Sequence, residues 1–220
     1  LSINFENVHF SEVDKQADIL KISLTDALKP NDSAKIAITY KVKIPNAQFT
    51  SYGKTKEGYH LRFWYITPAV YNKGWQLMSN LNIDDLYESA TDFTVEIDVP
   101  KDYIVESNLY EYKTEKEHFT NYYLVGKSKT DIILSINKTQ QFKTFKPKTT
   151  TVYTNLFPAE IDADVATSIL NRELLFIEKF LGKYTHTEIY VDKITQSKDP
   201  VYGLSQLPNL LRPFSDYFKW

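Results

Sequence analysis

The 220 residues carry 26 Lys and Arg against 28 Asp and Glu, a formal net charge of −2, which supplies no global attraction to nucleic acid or anionic membrane. Apolar residues at 42% and charged residues at 25% are the proportions of a globular protein, and no run approaches the roughly 18 apolar residues of a membrane-spanning helix. Cysteine is absent, which excludes disulfides, thiol catalysis and thiolate metal sites but leaves the compartment open.

The length fits one large domain, or one domain with part of another. Residue 1 leads straight into the chain with neither Met nor a basic-then-apolar leader, so the sequence reads as a piece of a longer protein. Residues 19–24 (Ile-Leu-Lys-Ile-Ser-Leu) form the first strand-like run. Ile36, Ile38, Tyr40, Val42 and Ile44 then alternate with Ala, Thr and Lys, which predicts a half-buried strand ended by Pro45. Lys29-Pro30-Asn31-Asp32 and Tyr52-Gly53-Lys54 carry turn chemistry.

An aromatic-dense block follows, with Tyr59, Phe63, Trp64, Tyr65, Tyr71 and Trp75. Such rings either fill a β core or stand in an exposed row that stacks on sugar or peptide. Strand alternation sends Phe63 and Tyr65 one way and Trp64 the other, so one face can hold only part of the set. After an acidic turn at residues 82–85, Phe93, Val95, Ile97 and Val99 alternate up to Pro100, and Ser107-Asn108 follows. Residues 122–125 and 132–136 complete the predicted strands. Helical periodicity is missing before residue 160, so residues 1–147 are expected to form one all-β, mainly antiparallel domain.

Composition shifts to Lys and Thr across residues 140–151, the expected boundary, whose lysines read as a solvated edge. Beyond it, Thr151-Val152-Tyr153 reads as a short strand. Asp162 or Asp164 is placed to cap a helix running to Leu181, with Gly182 just past its end. Val165, Ile169, Leu170, Leu174, Ile177, Phe180 and Leu181 share one face of that helix. Residues 188–191 form a further strand and 202–207 a candidate for another, so residues 148–220 open an α/β unit.

Catalytic motifs are missing from the chain. The four histidines, at 9, 60, 118 and 186, include no pair one helical turn apart, so the HExxH zinc motif is absent; each reads as a surface or interface residue. No Gly-x-Ser-x-Gly elbow or glycine-rich phosphate loop occurs. Asp84-Asp85 reads as a capping or solvated turn. No catalytic or metal-ligating residue is assigned.

The aromatic block, the acidic turn, the strand Phe93-Thr94-Val95-Glu96-Ile97-Asp98-Val99-Pro100 and the Ser107-Asn108 pair together resemble the N-terminal domain of aminopeptidase N-type zinc metallopeptidases, the gluzincins. The resemblance implies a large antiparallel β-sandwich or saddle-like domain over residues 1–147, then the start of a thermolysin-like domain over 148–220. It implies a fragment that is non-catalytic by itself and helps to shape a peptide-binding cleft. No cofactor is expected within it; zinc is possible in the parent protein. In that family an edge strand reading roughly Gly-x-Met-Glu-Asn-Pro pairs with the peptide, and its Glu holds the free ammonium group. Gly203, Leu204, Ser205 and Gln206 take those places as substrate-binding residues, ahead of Pro208. Gln206 stands at the Glu position, where loss of the carboxylate weakens amine recognition by roughly ten-fold. This change raises a pseudopeptidase alternative, a parent that binds peptides or partners without cutting them. A free-standing β-sandwich carbohydrate-binding module is the other alternative. The partner expected is a peptide, with neither nucleic acid nor a membrane segment involved.

Overall fold

The fold is taken from a computed structural model, which describes residues 3–4, 9–13, 16–24, 27–48, 52–77, 89–183 and 187–194. The expectations for Asp84-Asp85, His186 and the 202–208 segment lie outside the described residues. In chain order the elements are β1 (Ile3–Asn4), β2 (His9–Val13), β3 (Gln16–Ser23), β4 (Thr39–Tyr40), β5 (Gly53–Lys54), β6 (Gly58–Arg62), β7 (Val70–Tyr71) and β8 (Trp75–Gln76). There follow β9 (Thr91–Pro100), β10 (Ile104–Ser107), β11 (Tyr110–Glu115), β12 (Phe119–Lys129), β13 (Ile133–Asn137), β14 (Lys143–Phe145), β15 (Thr151–Thr154), α1 (Ala163–Leu181) and β16 (Glu188–Val191). The fold is mainly β, and every strand pair is antiparallel except β15 with β16.

Two sheets make the main core. One has the order β11-β12-β9, the other β10-β13-β6-β5. Along β9 exposed and half-buried residues alternate, so Val95, Ile97 and Val99 face inward while Glu96 and Asp98 face solvent, as period-2 patterning requires. Val105, Leu124 and Leu134 are completely buried in one cluster drawn from both sheets, and Tyr59, Trp64 and Tyr65 pack against that cluster. Central strand β13 is buried along its whole length. Leu134 and Ile136 join the core cluster, whereas Ser135 and Asn137 alternate with them onto the opposite face.

Asn108 explains why β10 ends as it does. Its Nδ2 donates to the Asp131 carbonyl at 2.9 Å, and its Oδ1 accepts from the Ile133 amide at 2.9 Å. One side chain thus replaces a strand residue at the entry to β13, serving two backbone groups that burial would otherwise leave unpaired.

Two sequence expectations ahead of the helix are corrected. The run 36–44 keeps some of its alternation, but only Thr39–Tyr40 is strand, and Ile36 and Val42 are 47% and 42% exposed. Alternation encodes a face, while a ladder needs a partner backbone, and β1 supplies two paired positions. Tyr52-Gly53-Lys54 is not the turn: Gly53–Lys54 is β5, and the reversal lies at 55–58, closed by the Thr55 amide on the Gly58 carbonyl at 2.9 Å. Gly53 is required for close approach, since at φ +133° an added Cβ would sit 2.3 Å from the Pro45 carbonyl oxygen. The Lys29–Asp32 turn forms as expected, with Asn31 at φ 67°.

The helix is capped by Asp162, whose Oδ1 accepts from the amides of Asp164 and Val165 at 2.8 and 3.3 Å. Ala166 and Leu174 are buried, and Ile169, Leu170 and Ile177 are half-buried. Val165, Phe180 and Leu181, expected on that face, are instead exposed at 53%, 62% and 82%. A sheet of three short strands, β14-β15-β16, covers a narrower strip of helix than the apolar pattern offers. This sheet begins at Lys143, within the 140–151 run, because β14 pairs with β15. Lys143, Lys146 and Lys148 are exposed, as a solvated edge requires, and Lys148 pairs with Glu178 of α1 at 2.7 Å. Among the described residues, no helix is long and apolar enough to cross a membrane.

Candidate functional site: a polar cleft between the two sheets

The face of β6 and β13 turned away from the main core is polar. Register sets Ser135 opposite His60 and Asn137 opposite Gly58, so His60, Ser135 and Asn137 share that surface. Asp192, just past β16, meets it from the other side. His60 Nε2 lies 3.2 Å from Asp192 Oδ2, with the two side chains 4% and 1% exposed. The ring nitrogen is not aligned on the oxygen, so the two groups touch without forming a hydrogen bond. Asn155 fixes the Asp192 loop: its Nδ2 donates to Asp192 Oδ1 at 3.3 Å and its Oδ1 accepts from the Lys193 amide at 2.7 Å.

A relay of side chains continues from His60 into the β domain. The Tyr52 ring stacks on His60 at 5.5 Å, and Arg62 Nη1 donates to the Tyr52 hydroxyl at 3.2 Å. Arg62 Nε donates to Asp131 Oδ2 at 2.6 Å. Desolvation is the largest single influence on Arg62 and opposes its charge, but Tyr52 and Asp131 together outweigh it and raise its pKa. Asp131 in turn offers its carbonyl to Asn108, so the relay ends at the strand surrogate described above.

Glu106 anchors the connection between the sheets. Its two carboxylate oxygens accept from the amides of Gln141 and Phe142, each at 2.9 Å. Burial raises its pKa despite those two donors. Phe142 then stacks on Tyr190 of β16, with centroids 4.5 Å apart.

Above His60 and Asp192 a cleft of about 290 Å³ opens, lined among others by Thr55, Tyr59, Asn137, Gln141 and Asn155. The nucleophile test fails there. Ser135 Oγ accepts from Asn137 Nδ2 at 2.8 Å and makes no hydrogen bond to His60, so base and nucleophile are not coupled. Among the described residues no three His, Cys, Asp or Glu side chains gather as a metal site. The arrangement provides a small polar groove and a buried His60–Asp192 contact across the seam.

Gly203, Leu204, Ser205 and Gln206, the residues assigned to substrate, lie outside the described residues. Among the described residues, His60 is buried at the seam and His118 is a surface histidine, its side chain 85% exposed. The exposed members of the aromatic block, Tyr71 and Trp75, meet edge to face at 72°, and Phe63 lies under the Arg62 guanidinium at 4.5 Å. A flat stacking platform of the kind a sugar needs is not formed by these rings. Sequence reasoning passed over Asp192, Asn155 and Glu106; the available signal was the pair Ser135 and Asn137, polar residues in alternation on an otherwise apolar strand. Comparison of the chain with protein-family models, with curated proteins and with solved structures returns no match.

Proposed function

We propose that this chain is the β-rich N-terminal part of an aminopeptidase-like metallopeptidase, non-catalytic by itself, and that it shapes one wall of a peptide-binding cleft. The observation that carries the reading is the order of elements. An antiparallel β block is followed by a β15–α1–β16 crossover with parallel strands, and His60, Asp192 and Glu106 tie the two together. The outer edge of β16 has no strand partner among the described residues. On this reading residues 202–207, which come after β16 in the sequence, add at that edge and present Gly203–Gln206 to a peptide by strand addition. On this reading zinc is held by other residues of the parent protein.

Gln206 gives the test. In the protein that carries this chain, Gln206→Glu strengthens binding of peptides with a free amino terminus by roughly ten-fold and leaves acetylated peptides unchanged, because a carboxylate adds a charged hydrogen bond that an amide lacks. Equal effects on both peptides would refute amine reading at this position. Gln206 itself also favours a second reading, a pseudopeptidase that retains the peptide groove without cutting its ligand. Assaying the same protein with an aminoacyl chromophore separates the two.

A further inference from the structure

The solvent face of the β11-β12-β9 sheet has a composition that core packing does not explain. Tyr110, Tyr112 and Tyr123 stand on it with 54%, 57% and 44% of their surface exposed. Register places Tyr112 opposite Tyr123, and Tyr123 opposite Glu96 on the next strand. The rings touch one another, Tyr110 to Tyr112 at 5.0 Å and Tyr112 to Tyr123 at 6.5 Å between centroids. They form one continuous patch, whereas exposed aromatic side chains on a monomer are ordinarily scattered.

The acidic half of the face adjoins them. Asp92, Glu96 and Asp98 all point outward from β9. Asn121 Nδ2 donates to Glu96 Oε1 at 3.0 Å and to Asp98 Oδ1 at 2.7 Å, which holds the two carboxylates side by side. Among the described residues, none of the three carboxylates forms an ion pair with Lys or Arg. Holding like charges together without a counter-ion is unfavourable, and a cation arriving from outside relieves it. Tyrosine faces attract the same kind of group, since a guanidinium or ammonium over a ring is favoured by its quadrupole.

We infer that this face is a docking surface for a partner protein presenting arginine or lysine side chains. Charge decides between partners. A second copy of this chain, laid face to face, would oppose Glu96 and Asp98 to their own counterparts, so self-association here is disfavoured. A sugar would need a flat row of rings, but adjacent rings are tilted by 62° and 46°. Tyr is enriched at the energetic centres of protein interfaces, and acidic neighbours then select a basic partner.

The probe is a fluorescein-labelled decapeptide of alternating arginine and serine, followed by anisotropy, beside the same peptide with glutamate in place of arginine. The arginine peptide binds and the glutamate peptide does not. Tyr112→Ala weakens binding at least five-fold, Glu96→Gln with Asp98→Asn weakens it at least ten-fold, and Tyr71→Ala, an exposed ring of the separate β7-β8 pair, leaves it unchanged. Because these side chains are exposed, circular dichroism of the variants should match the parent, and a variant that unfolds is replaced by Tyr123→Ser. Carboxylate dependence without tyrosine dependence would reduce the face to diffuse electrostatics and overturn the inference. So would binding of a gluco-oligosaccharide in preference to the arginine peptide.

Discussion

Replacing Asn108 by Ala removes both hydrogen bonds that let a side chain stand in for strand backbone. The Asp131 carbonyl and the Ile133 amide lose their 2.9 Å partners, and these residues are 9% and 8% exposed, so water reaches them poorly. A buried polar group left without a partner costs about 1–3 kcal/mol, so two of them, partly relieved by relaxation, cost about 2–4 kcal/mol. At a urea slope of about 2 kcal/mol per M this lowers the unfolding midpoint by about 1–2 M. Asn108→Asp does not rescue it: the acceptor for Ile133 is kept, but the donor is lost and a carboxylate is set beside Asp131. Asn121→Ala is the control, because that amide bridges Glu96 and Asp98 on the exposed face, and its loss should cost under about 0.5 kcal/mol. Urea unfolding followed by circular dichroism makes the comparison. If Asn108→Ala costs no more than Asn121→Ala, the strand-surrogate account of the Ser107-Asn108 pair is wrong.

Gly53→Ala forces a Cβ against the Pro45 carbonyl at a φ that side chains avoid, and lowers stability by more than about 2 kcal/mol, while Gly74→Ala, with open space around it, is near neutral by the same melt. Asp192→Ala removes the carboxylate that packs on buried His60 and costs about 1–3 kcal/mol; proteolysis then cuts the 138–147 connection sooner, and unchanged cleavage would show that this contact does not hold the seam. Tyr190→Phe removes a buried hydroxyl that has no hydrogen-bond partner among the described residues, so stability at neutral pH is unchanged or slightly raised, and a loss above about 1 kcal/mol would contradict this. Burial pushes the Tyr190 phenol far above its ordinary range. With the folded pKa above the unfolded value of about 10, the unfolded chain releases its proton first, so stability falls as pH rises past about 10. Tyr190→Phe flattens that fall in melts between pH 9 and 11.

The sequence made particular elements legible where one residue's chemistry decided the outcome locally. Asp162 and Gly182 bounded α1 because a side-chain acceptor and a C-terminal glycine act within one turn. Strand β9 was readable because its alternation met a full ladder on β12. The same alternation misled at 36–44, where the partner, not the pattern, set the strand length. Gly53 reads as a turn residue in the sequence because glycine's freedom serves close approach as well as reversal, and which of the two applies depends on the nearby Pro45 carbonyl. The seam was least legible. His60 and Asp192 are 132 residues apart in the chain, and the pairing that joins β15 to β16 brings them together. Glu106 reads as an ordinary strand carboxylate until the Gln141 and Phe142 amides close on it.

The central claim, that this chain presents a peptide to the edge beside β16, is tested most directly by photo-crosslinking. A peptide with a free amino terminus and a benzophenone at its first residue is irradiated with the protein, and the adduct is mapped by mass spectrometry. Adducts within residues 202–208, competed by unlabelled peptide and lost on acetylation of the probe, are the predicted result. Adducts confined to the Tyr110, Tyr112 and Tyr123 face, or none that competitor removes, would contradict it.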